Sequence, residues 1–151
     1  WGRADGGGDS TAVAAQLSSE VKTVFSTGDA FAALKTDGSV VTWGHSDVGG
    51  DSAAVALQLS DDVKTVFSTD TAFAALKTNG SVITWGGVDA GGDSTAVLTQ
   101  LSSDVEAVFS TNFAFAAVKT NGSVVTWGDS RYGGDSSAVA DQLSPRGNSS
   151  R

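Results

Sequence analysis

The sequence predicts an all-β fold built from 42-residue repeats, and two observations support this prediction. First, tryptophans recur every 42 residues without insertion or deletion, at Trp1, Trp43, Trp85 and Trp127. Second, a segment rich in β-branched and aromatic residues occurs three times, as AFAALKTDGSVVTWG (30–44), AFAALKTNGSVITWG (72–86) and AFAAVKTNGSVVTWG (114–128). Each copy contains Asp-Gly or Asn-Gly, the pair most typical of a β-hairpin turn. Each repeat should therefore contain one hairpin.

The first hairpin is expected to turn at Asp37-Gly38 through a two-residue type I′ turn. This turn would place Lys35 opposite Val40 and Ala32 opposite Trp43. The two faces then carry Ala32, Leu34, Val41 and Trp43 on one side and Phe31, Ala33 and Val40 on the other. Because both faces are apolar, each hairpin should be covered on both sides by a similar unit.

The rest of each repeat contains a predicted strand and an ambiguous segment. The strands are VKTVFST (21–27), VKTVFST (63–69) and VEAVFST (105–111), which are rich in β-branched and aromatic residues. The ambiguous segments are AVAAQL (12–17), AVALQL (54–59), AVLTQL (96–101) and AVADQL (138–143). Asp9-Ser10 before alanines would cap helical turns, whereas alternating apolar residues suit a short strand. We favour the strand, which gives three to four strands per repeat.

The repeat array is expected to cover residues 1–144, with units starting at the four tryptophans, and residues 145–151 form a C-terminal tail. Residues 127–144 repeat only the first part of a unit, so both ends carry the same fragment. A propeller that closes by shared strands needs complementary fragments at its ends. We therefore expect an open arc (a partial β-propeller) or a short solenoid, whose exposed β edges invite a partner.

The hairpin motif resembles a known repeat. The residues ALKTDGSVVTWG, followed by a Gly-rich loop and preceded by a V…VFST strand, are similar to the repeat of the regulator of chromosome condensation (RCC1) family. This resemblance implies a β-propeller fold, usually of seven four-stranded blades, that acts as an interaction platform and in one branch as a guanine-nucleotide exchange factor. The present units are shorter, their loops read GGDS where the family prefers GQLG, and nothing resembles the exchange factor's wedge.

Composition excludes several kinds of function. Seventeen acidic and nine basic residues give a net charge of −8, which disfavours nucleic acid and anionic lipid as partners. No apolar run approaches the roughly 20 residues that span a bilayer, so membrane insertion is not expected. The chain has no cysteine, which removes thiolate metal sites and cysteine nucleophiles. No cofactor is expected, and nothing indicates a cellular compartment.

Candidate catalytic and metal-binding residues are few. The only histidine is His45, which lies in a loop of one unit, and we interpret it as an exposed loop residue. Asp9, Asp51, Asp93 and Asp135 follow Gly-Gly pairs, and Asp5, Asp47 and Asp89 lie four residues earlier. Asp5, Asp9, Asp47 and Asp51 are therefore weak candidates for Ca²⁺ ligands. However, Ca²⁺ takes six to eight oxygens, so we predict caps or Asx-turns and no metal site.

The recurring aromatic residues are predicted to form the core. They are the four tryptophans with Phe25, Phe31, Phe67, Phe73, Phe109 and Phe115. Phe113 does not recur, since Asp29 and Thr71 occupy its place, so it is expected to be exposed. The loops after the tryptophans vary strongly between units, which is compatible with recognition. The candidate partner-binding residues are Arg3, His45, Asp47, Asp89, Phe113, Arg131 and Tyr132.

These features together predict a non-enzymatic repeat module that acts as a protein-interaction or structural subunit of a larger assembly. Its partners would be other protein subunits or copies of itself. The alternative is a carbohydrate-binding, lectin-like module that uses the variable loops.

Overall fold

The structure, a computed structural model, describes residues 1–145, and within this range it contains three separate antiparallel sheets of three strands each. Sheet 1 consists of β1 (Val21–Ser26), β2 (Ala30–Lys35) and β3 (Val40–Gly44). Sheet 2 consists of β4 (Val63–Ser68), β5 (Ala72–Lys77) and β6 (Val82–Gly86), and sheet 3 of β7 (Val105–Ser110), β8 (Ala114–Lys119) and β9 (Val124–Gly128). The predicted all-β repeat fold is confirmed. Apart from Pro145, the predicted tail lies outside the described residues.

Four connectors precede, separate and follow the sheets. We number them first to fourth, over residues 2–20, 45–62, 87–104 and 129–145. They contain 3₁₀ turns at Ala4–Gly6, Thr11–Val13, Ser46–Val48, Ala53–Val55, Val88–Ala90, Thr95–Val97, Ser130–Tyr132 and Ser137–Val139. Single α-helical turns follow at α1 (Ala14–Leu17) and α2 (Ala140–Leu143).

The strand prediction for the four AVxxQL segments is therefore wrong. In the first connector the carboxylate of Asp9 accepts a hydrogen bond from the Thr11 amide at 3.0 Å, which starts a helical turn. The Ser18 hydroxyl then donates to the Ala15 carbonyl and closes the segment. Local capping thus prevailed over the alternating apolar pattern, because the alanine-rich segment carries few side chains that would favour a strand.

The hairpin turn lies where it was predicted but is of a different type. The Gly38 amide donates to the Lys35 carbonyl, and the Lys35 amide donates to the Ser39 carbonyl. Gly38 has a φ of +83°, whereas Asp37 does not have a positive φ. This is a three-residue loop with a glycine bulge, not a type I′ turn. The Asp37 carboxylate accepts hydrogen bonds from both the amide and the hydroxyl of Ser39 and so stabilises the loop.

The extra loop residue shifts the predicted register by one position. Leu34 lies opposite Val40, and Phe31 lies opposite Trp43, with ring centroids 5.2 Å apart. Each sheet therefore has a front face with the stacked Phe and Trp, and a back face with two alanines of its second strand and a leucine, which is Val118 in sheet 3. In sheet 1 the front face carries Val24, Phe31, Ala33, Val41 and Trp43, and the back face carries Phe25, Ala32, Leu34 and Val40. The predicted placement of Trp43 opposite Ala32 is wrong.

The core consists of two clusters, each lying between successive sheets. In the first cluster Ala30, Ala32 and Leu34 of sheet 1 pack with Val66, Phe73 and Trp85 of sheet 2. In the second, Ala72, Ala74 and Leu76 of sheet 2 pack with Val108, Phe115 and Trp127 of sheet 3. Every internal interface thus joins the back face of one sheet to the front face of the next. The array consequently has a direction along the chain.

The sheets fan out from their first strands. β1 contacts β4, and β4 contacts β7, whereas each third strand contacts the turns of a connector. The Gly28 amide donates to the Asp70 carbonyl, and the Asp70 amide donates to the Asn112 carbonyl, each at 2.8 Å. These two hydrogen bonds form a ladder that joins all three units. At the third strand of sheet 1, the Val40 amide donates to the Leu59 carbonyl of the second connector.

Burial depends on position along the array. Phe73 and Trp85 are 0% and 5% exposed, and Phe115 and Trp127 are also buried, which confirms their predicted core role. The prediction is wrong for Trp1, which is fully exposed, and for Phe109, which is 61% exposed. Phe109 occupies a position that the next sheet covers in sheet 2, and no fourth sheet covers it within the described residues. Trp1 precedes the first strand and has no Phe to stack on, unlike the other three tryptophans. None of the described helices is long and apolar enough to cross a membrane.

Replacing Trp85 with alanine should lower the free energy of unfolding by about 3–5 kcal/mol, because a buried aromatic ring is lost together with the hydrogen bond that its indole donates to the Gly49 carbonyl. Urea denaturation monitored by circular dichroism measures the change. Trp1→Ala is the matched control, and its effect should stay within about 0.5 kcal/mol because Trp1 is exposed. Equal effects of the two substitutions would contradict the burial described above.

The turn aspartate should make stability depend on pH. Hydrogen bonds from Ser39 hold the pKa of Asp37 below its ordinary value of 3.8. A lowered pKa in the folded state means that this stabilisation is present above pH 3.8 and is lost as the pH falls below it. Asp37→Asn should reduce the loss of stability between pH 7 and pH 3, since Asn79 and Asn121 make the same bonds in the other hairpins. Urea midpoints at both pH values test this, and identical pH profiles would contradict it.

Candidate functional site

The variable loops lie together along one edge of the array, which we call the rim. The rim consists of residues 3–6, 45–48, 87–90 and 129–132, at the start of each connector. Amide donors at His45, Gly87 and Asp129 each bond to the carbonyl of the residue that precedes a second strand, at Asp29, Thr71 and Phe113. The predicted partner-binding residues Arg3, His45, Asp47, Asp89, Arg131 and Tyr132 lie on this rim, and Phe113 lies beside it.

The structure brings three of these residues together at the C-terminal end of the rim. The rings of Phe113 and Tyr132 meet edge to face, with centroids 4.8 Å apart. The Arg131 guanidinium lies 5.8 Å from the centroid of the Tyr132 ring, in cation–π range. Phe113 is half-buried against the second core cluster, so its predicted exposure is wrong. The cluster presents Arg131 and Tyr132 to solvent.

The other candidate residues remain apart in their own loops. Arg3 forms an ion pair with Asp5 at 3.0 Å, and both side chains are well exposed. His45 is exposed, and its Nδ1 accepts a hydrogen bond from the Asp47 amide. Open grooves separate successive loops, with volumes of about 490 Å³ beside Asp47 and about 420 Å³ beside Asp89. The rim therefore offers shallow grooves without a converging set of catalytic groups.

Negative charge dominates the rim. The Arg131 side chain donates to both carboxylate oxygens of Asp129, and this contact lowers the pKa of Asp129 and raises that of Arg131. Arg3 is likewise paired with Asp5 inside its loop. The two rim arginines thus neutralise aspartates of their own loops, while Asp47 and Asp89 remain as exposed carboxylates. A partner that meets this rim would need complementary positive charge.

The aspartates after the Gly-Gly pairs have a structural role. Asp9, Asp51, Asp93 and Asp135 each accept a hydrogen bond from the amide two residues later. Hydrogen bonds from Thr11 and Thr95 lower the pKa values of Asp9 and Asp93. Across residues 1–145 no three carboxylate or imidazole groups are arranged as a metal site. The Asx-turn interpretation of these residues is confirmed by the geometry.

The sequence interpretation missed a glycine contact at each front face, which we call the glycine seat. The Phe73 ring packs so closely on Gly49 that a Cβ there would lie 2.5 Å from ring atoms, and the Trp85 indole donates to the Gly49 carbonyl at 3.2 Å. Gly91 holds Phe115 and Trp127 in the same way, and Gly7 holds Phe31 and Trp43. A glycine lies two residues before the Asp-Ser pair in all four loops, and this recurrence was a usable signal for the contact.

The fourth glycine seat, at Gly133, is empty within the described residues. Gly133 has a φ of +102°, as Gly91 does, but no atom lies within 4 Å of its Cβ position. A groove of about 200 Å³ opens beside it, lined by Phe109, Ala116 and Tyr132 among others. Tyr132 therefore belongs both to the rim and to this groove, so the two surfaces are continuous. At the opposite end, Val24 of the front face of sheet 1 is 49% exposed.

Comparison with known proteins supports the fold. No protein-family model matches the chain, and no curated protein sequence matches it. Among solved structures, human WBSCR16 matches with a TM-score of 0.51 and 19% identity over 76% of this chain and 35% of that protein. Prp20p from Saccharomyces cerevisiae, whose structure was described with its binding to Gsp1p and histones, matches with a TM-score of 0.49 and 15% identity over 73% and 31%.

The match to human WBSCR16 shows an RCC1-like repeat fold, as the hairpin motif implied. The chain spans about a third of the length of both structures. At this level of identity the likeness concerns the fold alone.

Calorimetric titration with Ca²⁺ should show no binding in the micromolar range, because the aspartates after the Gly-Gly pairs already accept backbone hydrogen bonds and lie apart from one another. A clear isotherm that disappears in Asp9→Asn and Asp51→Asn variants would contradict this prediction. Asp104→Asn, at a position that does not follow a Gly-Gly pair, is the control for non-specific loss of charge.

Proposed function

We propose that this chain is a non-enzymatic repeat module that binds and joins other protein subunits. The observation that carries the proposal is the exposure of interface residues at both ends of the array. Phe109 and Val24 occupy positions that pack between sheets elsewhere, yet they are 61% and 49% exposed. Exposed apolar surface of this kind is typical of a protein-binding site.

The positions equivalent to Val24 and Phe109 in the other sheets are less exposed, so the exposure is confined to the end faces. Val66 and Val108 occupy the Val24 position in the other sheets, and each is 2% exposed. Phe67, the Phe109 equivalent in sheet 2, packs against the core between sheets 2 and 3. The end faces thus have the composition of interfaces that already form within the chain. A partner with a complementary apolar face would bury them.

The rim supports a second contribution, namely selection among partners. Each rim loop forms the same 3₁₀ turn, while its first residue is Arg3, His45, Gly87 or Asp129, and Arg131 replaces the third-position aspartate of the other loops. Since Tyr132 lies on both the rim and the C-terminal groove, a protein that covers that groove would also meet the rim. Exposed carboxylates there favour a partner with basic residues at the periphery of its contact.

The geometry offers little for catalysis. His45 is exposed and uses Nδ1 to accept a backbone amide, so that nitrogen does not serve as a base for a neighbouring hydroxyl. The grooves between rim loops are open, and three of their carboxylates, those of Asp51, Asp93 and Asp129, accept local amides. These features favour a binding role over an enzymatic one.

A photo-cross-linker placed at residue 109 tests the proposal. We expect it to capture a protein from the source extract, which mass spectrometry identifies and which is then titrated in purified form. The same cross-linker at Leu98, an exposed position that belongs to neither end face, is the matched control. No capture at residue 109 beyond that at residue 98 would contradict the proposal.

A glycan array tests the carbohydrate alternative on the same preparation. Saccharide binding that is abolished by Arg131→Ala and Tyr132→Ala, together with failed capture at residue 109, would replace the protein-binding proposal with the lectin-like one. We expect no such binding, because the exposed interface residues are apolar and the rim arginines are already paired.

A further inference from the structure

We propose that two copies of this chain dock head to tail, with the fourth connector of one copy replacing the first connector of the next. This inference rests on the proposed function and names a partner for the end faces. The back face of sheet 3 in one copy would pack on the front face of sheet 1 in the other. The contact would repeat the interface that already joins sheets 1 and 2 and sheets 2 and 3.

The apolar surfaces of the two ends match each other because they are the two sides of one interface. Phe25, Ala32 and Leu34 of sheet 1 form the back-face half of the first core cluster. Phe109, Ala116 and Val118 occupy those positions in sheet 3, and all three are more exposed than residues in the middle of the array. Val24, Phe31 and Trp43 supply the other half in sheet 1, where Val66, Phe73 and Trp85 supply it in sheet 2.

Backbone groups at the two ends also match. In the ladder the Gly28 amide donates to Asp70, and the Asp70 amide donates to Asn112. Within residues 1–145 the Asn112 amide has no acceptor and the Gly28 carbonyl has no donor. Head-to-tail docking would place the Asn112 amide of one copy against the Gly28 carbonyl of the next. The ladder would then continue from copy to copy with the same polarity.

The empty glycine seat identifies what enters the C-terminal groove. Gly49 and Gly91 each receive the Phe and Trp of the sheet that follows them in the chain. Gly133 has the same left-handed backbone, with nothing within 4 Å of its Cβ position, and the groove beside it holds about 200 Å³. The ring of Phe31 and the indole of Trp43 from a second copy have the shape and the donor that this seat accepts.

The first connector competes for that contact. Gly7 already holds Phe31, and its carbonyl accepts the Trp43 indole at 3.0 Å. The Lys35 ammonium also bonds to the Gln16 carbonyl of this connector, as Lys77 does to Gln58. Docking of a second copy therefore requires the first connector to leave and the neighbour's fourth connector to take its place. The contacts that the first connector loses are equivalent to those that the fourth connector of the neighbour gains, as in domain swapping. Burial of the apolar end faces then supplies the net free energy of association.

Two glycine substitutions test the exchange with matched backbone strain. Gly7 and Gly133 have φ values of +94° and +102°, so alanine is similarly strained at both positions. Gly7→Ala would place a Cβ 2.5 Å from the Phe31 ring and should release the first connector, so that self-association becomes about tenfold tighter. Gly133→Ala meets no atom in the single chain but should clash with the Phe31 of an incoming copy, weakening self-association about tenfold.

Sedimentation velocity over a dilution series measures these changes, and urea denaturation checks that each variant is folded. We expect the unsubstituted chain to form oligomers that dissociate on dilution. The copies carry like charge, so added salt should favour association. Monomers of both the unsubstituted chain and Gly7→Ala at every concentration would overturn the inference, as would equal shifts in the two glycine variants.

A mixing experiment decides the geometry even if Gly7→Ala does not fold. Val24→Glu disables the front end and Phe109→Glu disables the back end, and both positions are exposed, so each variant should remain a folded monomer. A mixture of the two should form dimers, because each supplies the end that the other lacks. Leu98→Glu is the control and should associate like the unsubstituted chain.

Absence of dimers in the mixture would overturn head-to-tail docking. If the monomeric chain with the cross-linker at residue 109 then captured a different protein, the proposed binding function would still hold. Self-docking and the proposed function can therefore fail independently.

Discussion

The structure depends on one repeated interaction, in which a stacked Phe–Trp pair of each sheet packs on a glycine of the preceding connector. The glycine lacks a Cβ, so the phenyl ring approaches its backbone closely, and its carbonyl accepts the indole hydrogen. This contact satisfies the one polar atom of a large buried aromatic side chain. Because the connector also bonds to the previous sheet through the Val40 amide and the Leu59 carbonyl, the pair ties three consecutive pieces of chain together.

The polarity of that interaction explains the architecture. Each sheet offers different side chains on its front and back, so units join only in one order, and every interface repeats the last. Direct contact between first strands, with connectors beside the third strands, fans the sheets apart. An array with this polarity has two unlike ends, and the apolar exposure is concentrated there. The proposed binding function therefore rests on the two end faces more than on any single pocket.

The sequence predicted the period, the strands and the position of every hairpin because these features rest on local composition. It did not predict the register, since Asp-Gly suits both a type I′ turn and a bulged loop, and the backbone bonds of Lys35 with Gly38 and Ser39 distinguish them. The connector segments were misassigned because alanine-rich stretches carry little signal beyond their caps. The exposure of Trp1 and Phe109 depends on which groups lie beside them in space, which a periodic pattern does not report.

Most of the predicted rim residues remain in separate loops, and only the Phe113, Arg131 and Tyr132 cluster brings several of them together. That cluster depends on two aromatics that do not recur in the other units, Phe113 and Tyr132, and a comparison between units can find this kind of signal. The glycine seats escaped notice because an invariant glycine is usually assigned to a turn. Their role as contact surfaces requires the Phe and Trp positions in space.

The near-identity of the glycine seats has a consequence for folding. During refolding the Phe73 and Trp85 pair meets Gly7 as an acceptor chemically equivalent to Gly49, although only Gly49 is its native one. A sheet docked on the wrong connector would bury almost the same surface, so such species are kinetic traps of comparable local stability. Gly49 lies 24 residues from Phe73 and Gly7 lies 66 residues away, so the smaller entropy cost of loop closure favours the native pairing. Fidelity of folding in this chain is thus set by sequence separation, because side-chain chemistry does not distinguish the seats.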